Sequence, residues 1–88
     1  MISVSMVDAN VYEVVVDADT KTVHRVHMAP EYYRHLCGMT VTHEWVLVQS
    51  FNFLLEREPN TSVLREFSLP DIARYFPEFE ETIKARLG

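Results

Sequence analysis

The sequence holds a single cysteine, Cys37, and only two glycines, Gly38 and Gly88. One thiol excludes an intramolecular disulfide and suits a reducing compartment. Two glycines cannot build a P-loop or a dinucleotide fingerprint, so enzymes of those classes are excluded and no cofactor is expected. No apolar run approaches the roughly 18–20 residues needed to cross a bilayer. Met1-Ile2-Ser3-Val4-Ser5 has neither the basic n-region nor the long apolar h-region of a secretory signal. A cytoplasmic protein without a membrane segment is expected. Basic blocks are missing too. Lys21, Arg25 and Arg34, and later Arg57, Arg65, Arg74, Lys84 and Arg86, are outnumbered by acids in both halves, giving a net charge of −5. Counterion release by basic clusters supplies most non-specific nucleic-acid affinity, so this pattern disfavours DNA, RNA and anionic membrane surfaces as partners.

What remains is an ordinary globular composition. Hydrophobic residues are 48% and charged residues 24% of 88 residues, which fits one domain spanning 1–88. Near residue 29 the composition shifts. Before it, β-branched residues dominate; after it, Leu, Glu, Arg and aromatics take over.

The segment 1–28 reads as a three-stranded antiparallel β-meander. Ile2, Val4 and Met6 alternate with Ser3 and Ser5, the period-2 pattern of a half-buried strand. Asp8-Ala9-Asn10 and Asp17-Ala18-Asp19-Thr20 are turn chemistry, separating strands over 11–16 and 22–28. So small a meander needs a cover on its apolar face, and 30–88, mainly helical, supplies it. Pro30 and Gly38 bracket a helix over 31–37. Thr42 is the expected N-cap of a helix from His43 to about Arg57, with Leu47, Phe51, Leu54 and Leu55 on one face and Trp45, Val48 and Phe53 widening the stripe. Ser68 and Asp71 have capping-box spacing for a short helix to about Phe76. Pro77 restarts the chain as a last helix, with Phe79, Ile83 and Leu87 on one side. Residues 62–67 fit a strand or extended connection better than a helical turn. The expected fold class is α+β, a meander covered by three to four helices.

Phe53-Leu54-Leu55-Glu56-Arg57-Glu58-Pro59-Asn60-Thr61-Ser62, followed by Leu64-Arg65, Leu69-Pro70, Ile72 and Arg74-Tyr75-Phe76-Pro77-Glu78, resembles a family of small uncharacterised bacterial proteins. They carry an "FLLEREPNTS-LR-F-LP-I-RYFPE" segment. The earlier "YEVVVDADT…HRV…PEYY" portion resembles the same family's N-terminal half. The resemblance implies a bacterial, intracellular domain of mixed α and β structure. It transfers no catalytic or binding residue.

The residues that bear chemistry are dispersed. His24, His27, His35, Cys37 and His43 fall within a short stretch, yet none of the paired spacings of common zinc sites is present. On a strand His24 and His27 point to opposite faces; on a short helix His35 and Cys37 diverge by about 200°. No metal site is expected. Cys37 at a helix C-terminus faces a dipole that opposes a thiolate, which argues against a nucleophile. The acid pairs Glu56/Glu58, Glu80/Glu81 and Asp17/Asp19 fall in turns or on polar helical faces, as solvated acids do. No catalytic residue is assigned.

"SLPDIARYF" loosely matches the first helix of a helix-turn-helix, but Pro77-Glu78-Phe79-Glu80-Glu81 follows where a recognition helix should carry basic or amide side chains. Aromatics are the remaining signal. So short a chain cannot hide all of them, and exposed aromatics beside Arg anchor protein interfaces. Arg74, Tyr75 and Phe76 are the candidate contact residues, for a protein partner or a homodimer. The expected function is a small non-enzymatic interaction or regulatory domain. The alternative is an acidic DNA-binding or antitoxin-like protein, and behind it a metal-dependent enzyme. No small-molecule ligand class is indicated.

Overall fold

Alternating β-branched residues in the first third make strands because each branched side chain packs on a pleated surface and fills only one face. In the computed structural model, which describes residues 1–38 and 40–88, they form β1 (Ile2–Asp8), β2 (Val11–Asp17) and β3 (Lys21–His27). Both pairings are antiparallel. Asn10 makes the first turn with φ of 60°, a left-handed conformation that its short polar side chain tolerates. Tyr12, Val14, Val16, Thr22, His24 and Val26 point inward, and their neighbours along the strands point out.

The sheet is larger than a meander and is mixed. A fourth strand, β4 (Glu66–Ser68), lies parallel to β3, with Arg25 opposite Glu66 and His27 opposite Ser68. The order is β1-β2-β3-β4. The three-stranded antiparallel meander is present, and the sheet becomes mixed through β4 for a topological reason. The helices after β3 carry the chain back across the sheet, so the next strand runs the way β3 runs. Within 62–67, the extended reading holds for the β4 residues, while Asn60–Ser62 is a single 3₁₀ turn after Pro59.

The helices are α1 (Pro30–Cys37), α2 (His43–Leu55), α3 (Asp71–Tyr75) and α4 (Phe79–Leu87). Pro30 opens α1, and Gly38 closes it at φ 60° with its N–H on the Arg34 carbonyl. Thr42 caps α2 by accepting from the Trp45 N–H at 3.1 Å. Three boundaries move. α2 stops at Leu55, two residues short of Arg57, with Glu56 as its C-cap. α4 starts at Phe79, after a turn from Pro77, and α3 starts at Asp71 with Pro70, not Ser68, at its N-cap. Only half of the capping box forms: the Asp71 carboxylate accepts from the Ser68 N–H at 3.1 Å.

The core lies between the sheet and α2, with α4 packed against α2. Phe51, Phe53, Leu47, Phe79 and Ile83 are fully buried with Val14, Val16 and Val26. Phe53 meets Phe79 edge-on at 5.1 Å. Trp45 departs from expectation. It sits on the outward side of α2 and is 46% exposed, because the inward arc is already filled by Val46, Leu47, Ser50 and Phe51.

Candidate docking groove

Most polar groups that sequence alone could have assigned to chemistry are tied into structural contacts. His24 is fully buried on β3. Its Nδ1 lies 2.8 Å from the Leu64 carbonyl, which can only accept, so Nδ1 carries the proton. Its Nε2 then accepts from the Thr22 hydroxyl at 2.8 Å. Asn60 completes the chain, donating from Nδ2 to Thr22 Oγ1 and to the Thr20 carbonyl. Burial, the largest cause, lowers the His24 pKa; the nearby Arg65 charge adds to this, while the Leu64 contact opposes it. The imidazole is held neutral. This network pins the segment that leads into β4 onto β3.

The other candidate ligands lie apart. His27 pairs with Glu66 at 2.8 Å on the outer sheet face, and His35 with Glu80 at 3.1 Å. Tyr32 also donates to Glu80, at 2.7 Å. Those two hydrogen bonds, Tyr32 first and His35 second, hold the Glu80 carboxyl below its usual range. His43 stacks on Tyr33 at 3.9 Å between ring centroids. Cys37 donates to the Tyr33 carbonyl, one turn back in α1, at 3.4 Å. Among the described residues, no three His, Cys, Asp or Glu side chains come together around a point where an ion could bind. Of the acid pairs, Glu56 bonds to Arg86 at 2.7 Å and to Arg57 at 3.3 Å. A shallow depression between the β2–β3 turn and Pro59–Thr61 is lined by Asp17 and Asp19. The Asn60 amide at its floor is already used by Thr20 and Thr22.

A different surface is left unsatisfied. Leu54 from α2, Val63 and Leu64 from the connection, Phe67 from β4, and Ile72, Tyr75 and Phe76 from the α3 region line a groove of about 210 Å³. Glu58, Ser62 and Asp71 supply its polar rim. Tyr75 is 70% exposed and Leu64 is 54% exposed. The three residues singled out from the sequence divide there. Tyr75 stands at the groove with its ring largely in solvent. Phe76 is half-buried and meets Phe53 edge-on at 5.9 Å, so it forms the wall rather than the contact face. Arg74 projects away with 81% of its side chain exposed, 3.8 Å from Asp71, and does not line the groove.

The opposite wall, Val63, Leu64 and Phe67, was missed by sequence reasoning. Its only local signal is an apolar pair, Val63-Leu64, in a connection otherwise polar from Glu56 to Glu66. Val63 is buried and Leu64 is exposed, and the stretch is held there by the His24 contact to the Leu64 carbonyl, a link between residues 40 positions apart.

No family model, curated protein or solved structure matches this chain. The groove therefore has to be read from its own chemistry. It is mostly apolar, it is smaller than the roughly 300–1,000 Å³ of small-molecule sites, and no cation lines it. Glu58 makes no ion pair among the described residues. One large apolar side chain fits such a space, with a positive charge beside it.

Proposed function

We propose that this protein is a small interaction domain that docks a segment of another protein in the groove between α3 and the Val63–Leu64 connection. The segment presents one bulky apolar or aromatic side chain with a Lys or Arg next to it. The carrying observation is the exposed Tyr75 and Leu64 flanking an apolar groove whose rim carries Glu58 and Asp71. An aromatic that stands in water next to an apolar recess gains by being covered, and interface hot spots concentrate on such residues. A rim carboxylate adds on-rate and partner choice more than affinity. The wide separation of the His and Cys side chains, with His24, His27, His35 and Cys37 each held in a hydrogen bond, supports binding over turnover. The bacterial, intracellular setting implied by the sequence resemblance, and the cytoplasmic location expected from the sequence, belong to the same proposal.

Selection of random peptides displayed on phage against the purified protein tests this reading. The expected consensus is an apolar anchor flanked by Lys or Arg, and Glu58→Lys should shift the flanking preference toward acids. Failure to enrich any consensus, or a consensus indifferent to both Glu58→Lys and Tyr75→Ala, would overturn it.

A further inference from the structure

β1 is the outer strand of the sheet, and it lacks the usual protection of an edge. Native edges are blunted by charged side chains, prolines or bulges, because their free N–H and C=O groups template pairing with another chain. Residues 2–7 of β1 contain no charged side chain and no proline. Its register irregularity falls between Met6 and Asp8, leaving Ile2 to Met6 regular. The opposite edge is the short β4 (Glu66–Ser68).

The register shows which groups are free. Met1 and Asp17 exchange both backbone hydrogen bonds, at 2.8 and 2.9 Å. In an antiparallel ladder such pairs alternate with pairs whose N–H and C=O point away. Ser3, opposite Val15, and Ser5, opposite Glu13, therefore bond to β2, while Ile2, Val4 and Met6 direct their backbone groups outward. Their side chains lie on the inner face, beneath α2, and that cover gives out along the strand. Ile2 and Val4 are half-buried, and Met6 is 60% exposed.

The segment Ile2-Ser3-Val4-Ser5-Met6 is a palindrome in character, apolar-Ser-Val-Ser-apolar. We propose that β1 pairs antiparallel with β1 of a second copy of this chain about a two-fold axis at Val4. Val4 then faces the partner copy's Val4, and Ile2 faces Met6 on the other strand. Every outward N–H and C=O of Ile2, Val4 and Met6 finds a partner, and two sheets become one. On the outer face Ser3 meets Ser5, a pair that can exchange hydroxyl hydrogen bonds. On the inner face Met6 gains an apolar neighbour in Ile2. The net charge of −5 does not oppose the contact at the seam. The nearest acids across the seam, Asp8 of one copy and Asp17 of the other, stand two strand spacings apart, roughly 10 Å, still beyond the Debye length of about 8 Å at physiological salt. A generic peptide would satisfy the backbone groups equally well; the palindrome and the uncharged strip are what single out a second copy.

Sedimentation analysis of the full chain over a wide concentration range tests this. The expected species is twice the 10.3 kDa protomer mass. Met6→Lys, at a side chain that is mostly in water, should leave the circular dichroism and melting temperature unchanged and weaken association at least about tenfold. Val4→Cys in a Cys37→Ser background gives a second readout. Facing Cα atoms about 5.5 Å apart suit a disulfide, so oxidation should link two chains. A monomer at all concentrations, a dimer that survives Met6→Lys without Val4→Cys cross-linking, or a dimer broken by Tyr75→Ala would each overturn the proposal. The last result would move self-association to the groove, whereas loss of the β1 contact leaves the groove's peptide binding untouched.

Discussion

Replacing His24 by leucine removes the centre of a buried polar network that ties the segment leading into β4 to the meander. His24→Leu leaves the Leu64 carbonyl without its donor and the Thr22 hydroxyl without its acceptor. Losing both hydrogen bonds, the Thr22 oxygen still accepting from Asn60, costs about 2–6 kcal/mol at most. Burying the leucine side chain returns about 1.5–3 kcal/mol, leaving a net loss of about 0.5–3 kcal/mol near neutral pH. That is a large fraction of the roughly 4–13 kcal/mol expected for a domain of this size. The loss should also depend on pH, and the sign follows from the lowered His24 pKa. The unfolded imidazole titrates near its ordinary 6.5 and the folded one lower, so the unfolded state takes up protons first as pH falls. The stability His24 contributes is complete above 6.5 and declines as pH drops through that value toward the folded pKa. Urea unfolding followed by circular dichroism, at several pH values from neutral downward, measures the difference between wild type and His24→Leu. That difference should shrink as pH falls. A difference that stays constant or grows would refute the neutral, hydrogen-bonded His24.

Other perturbations have equally definite outcomes. Phe51→Ala, at a fully buried ring beside His24 and Phe67, should cost about 3–5 kcal/mol in chemical denaturation. Gly38→Ala meets no atom within 4 Å, so its cost is the left-handed backbone alone, about 1–2 kcal/mol by thermal melting. Tyr32→Phe should destabilise by about 1 kcal/mol above the usual carboxylate pKa. That effect should fade in acid, because Glu80 is held ionised in the fold and loses its acceptor role when protonated. Tyr75→Ala should change stability by less than about 0.5 kcal/mol while abolishing capture of selected peptides.

The sequence makes the meander legible because Ile2 to Met6, Val11 to Val16 and Thr22 to Val26 alternate with period 2 and are separated by Asp/Asn turns. Local punctuation also carried the helices: Pro30 with Gly38, and Thr42, act within a few residues of themselves. What local chemistry leaves open is anything fixed by distant pairing. β4 is a strand because His27 and Arg25 supply hydrogen-bond partners to the segment around it, and its own three residues say little. Trp45 shows the same limit from the other side, since a helical stripe can be drawn wider than the arc that finds a partner. At the groove, Tyr75 was readable as an exposed aromatic beside an Arg. Its facing wall was not, because Leu64 is brought opposite α3 only by the long-range contact from β3.

The proposed docking puts an apolar anchor of a partner into the Tyr75–Leu64 groove. Titrating a peptide from the phage selection into isotope-labelled protein, and following backbone amide shifts by NMR, tests this most directly. Saturable shifts should concentrate at Val63, Leu64, Phe67, Ile72, Tyr75 and Phe76 and be absent in Tyr75→Ala. Shifts concentrated on another face, or unaltered by Tyr75→Ala, would contradict it.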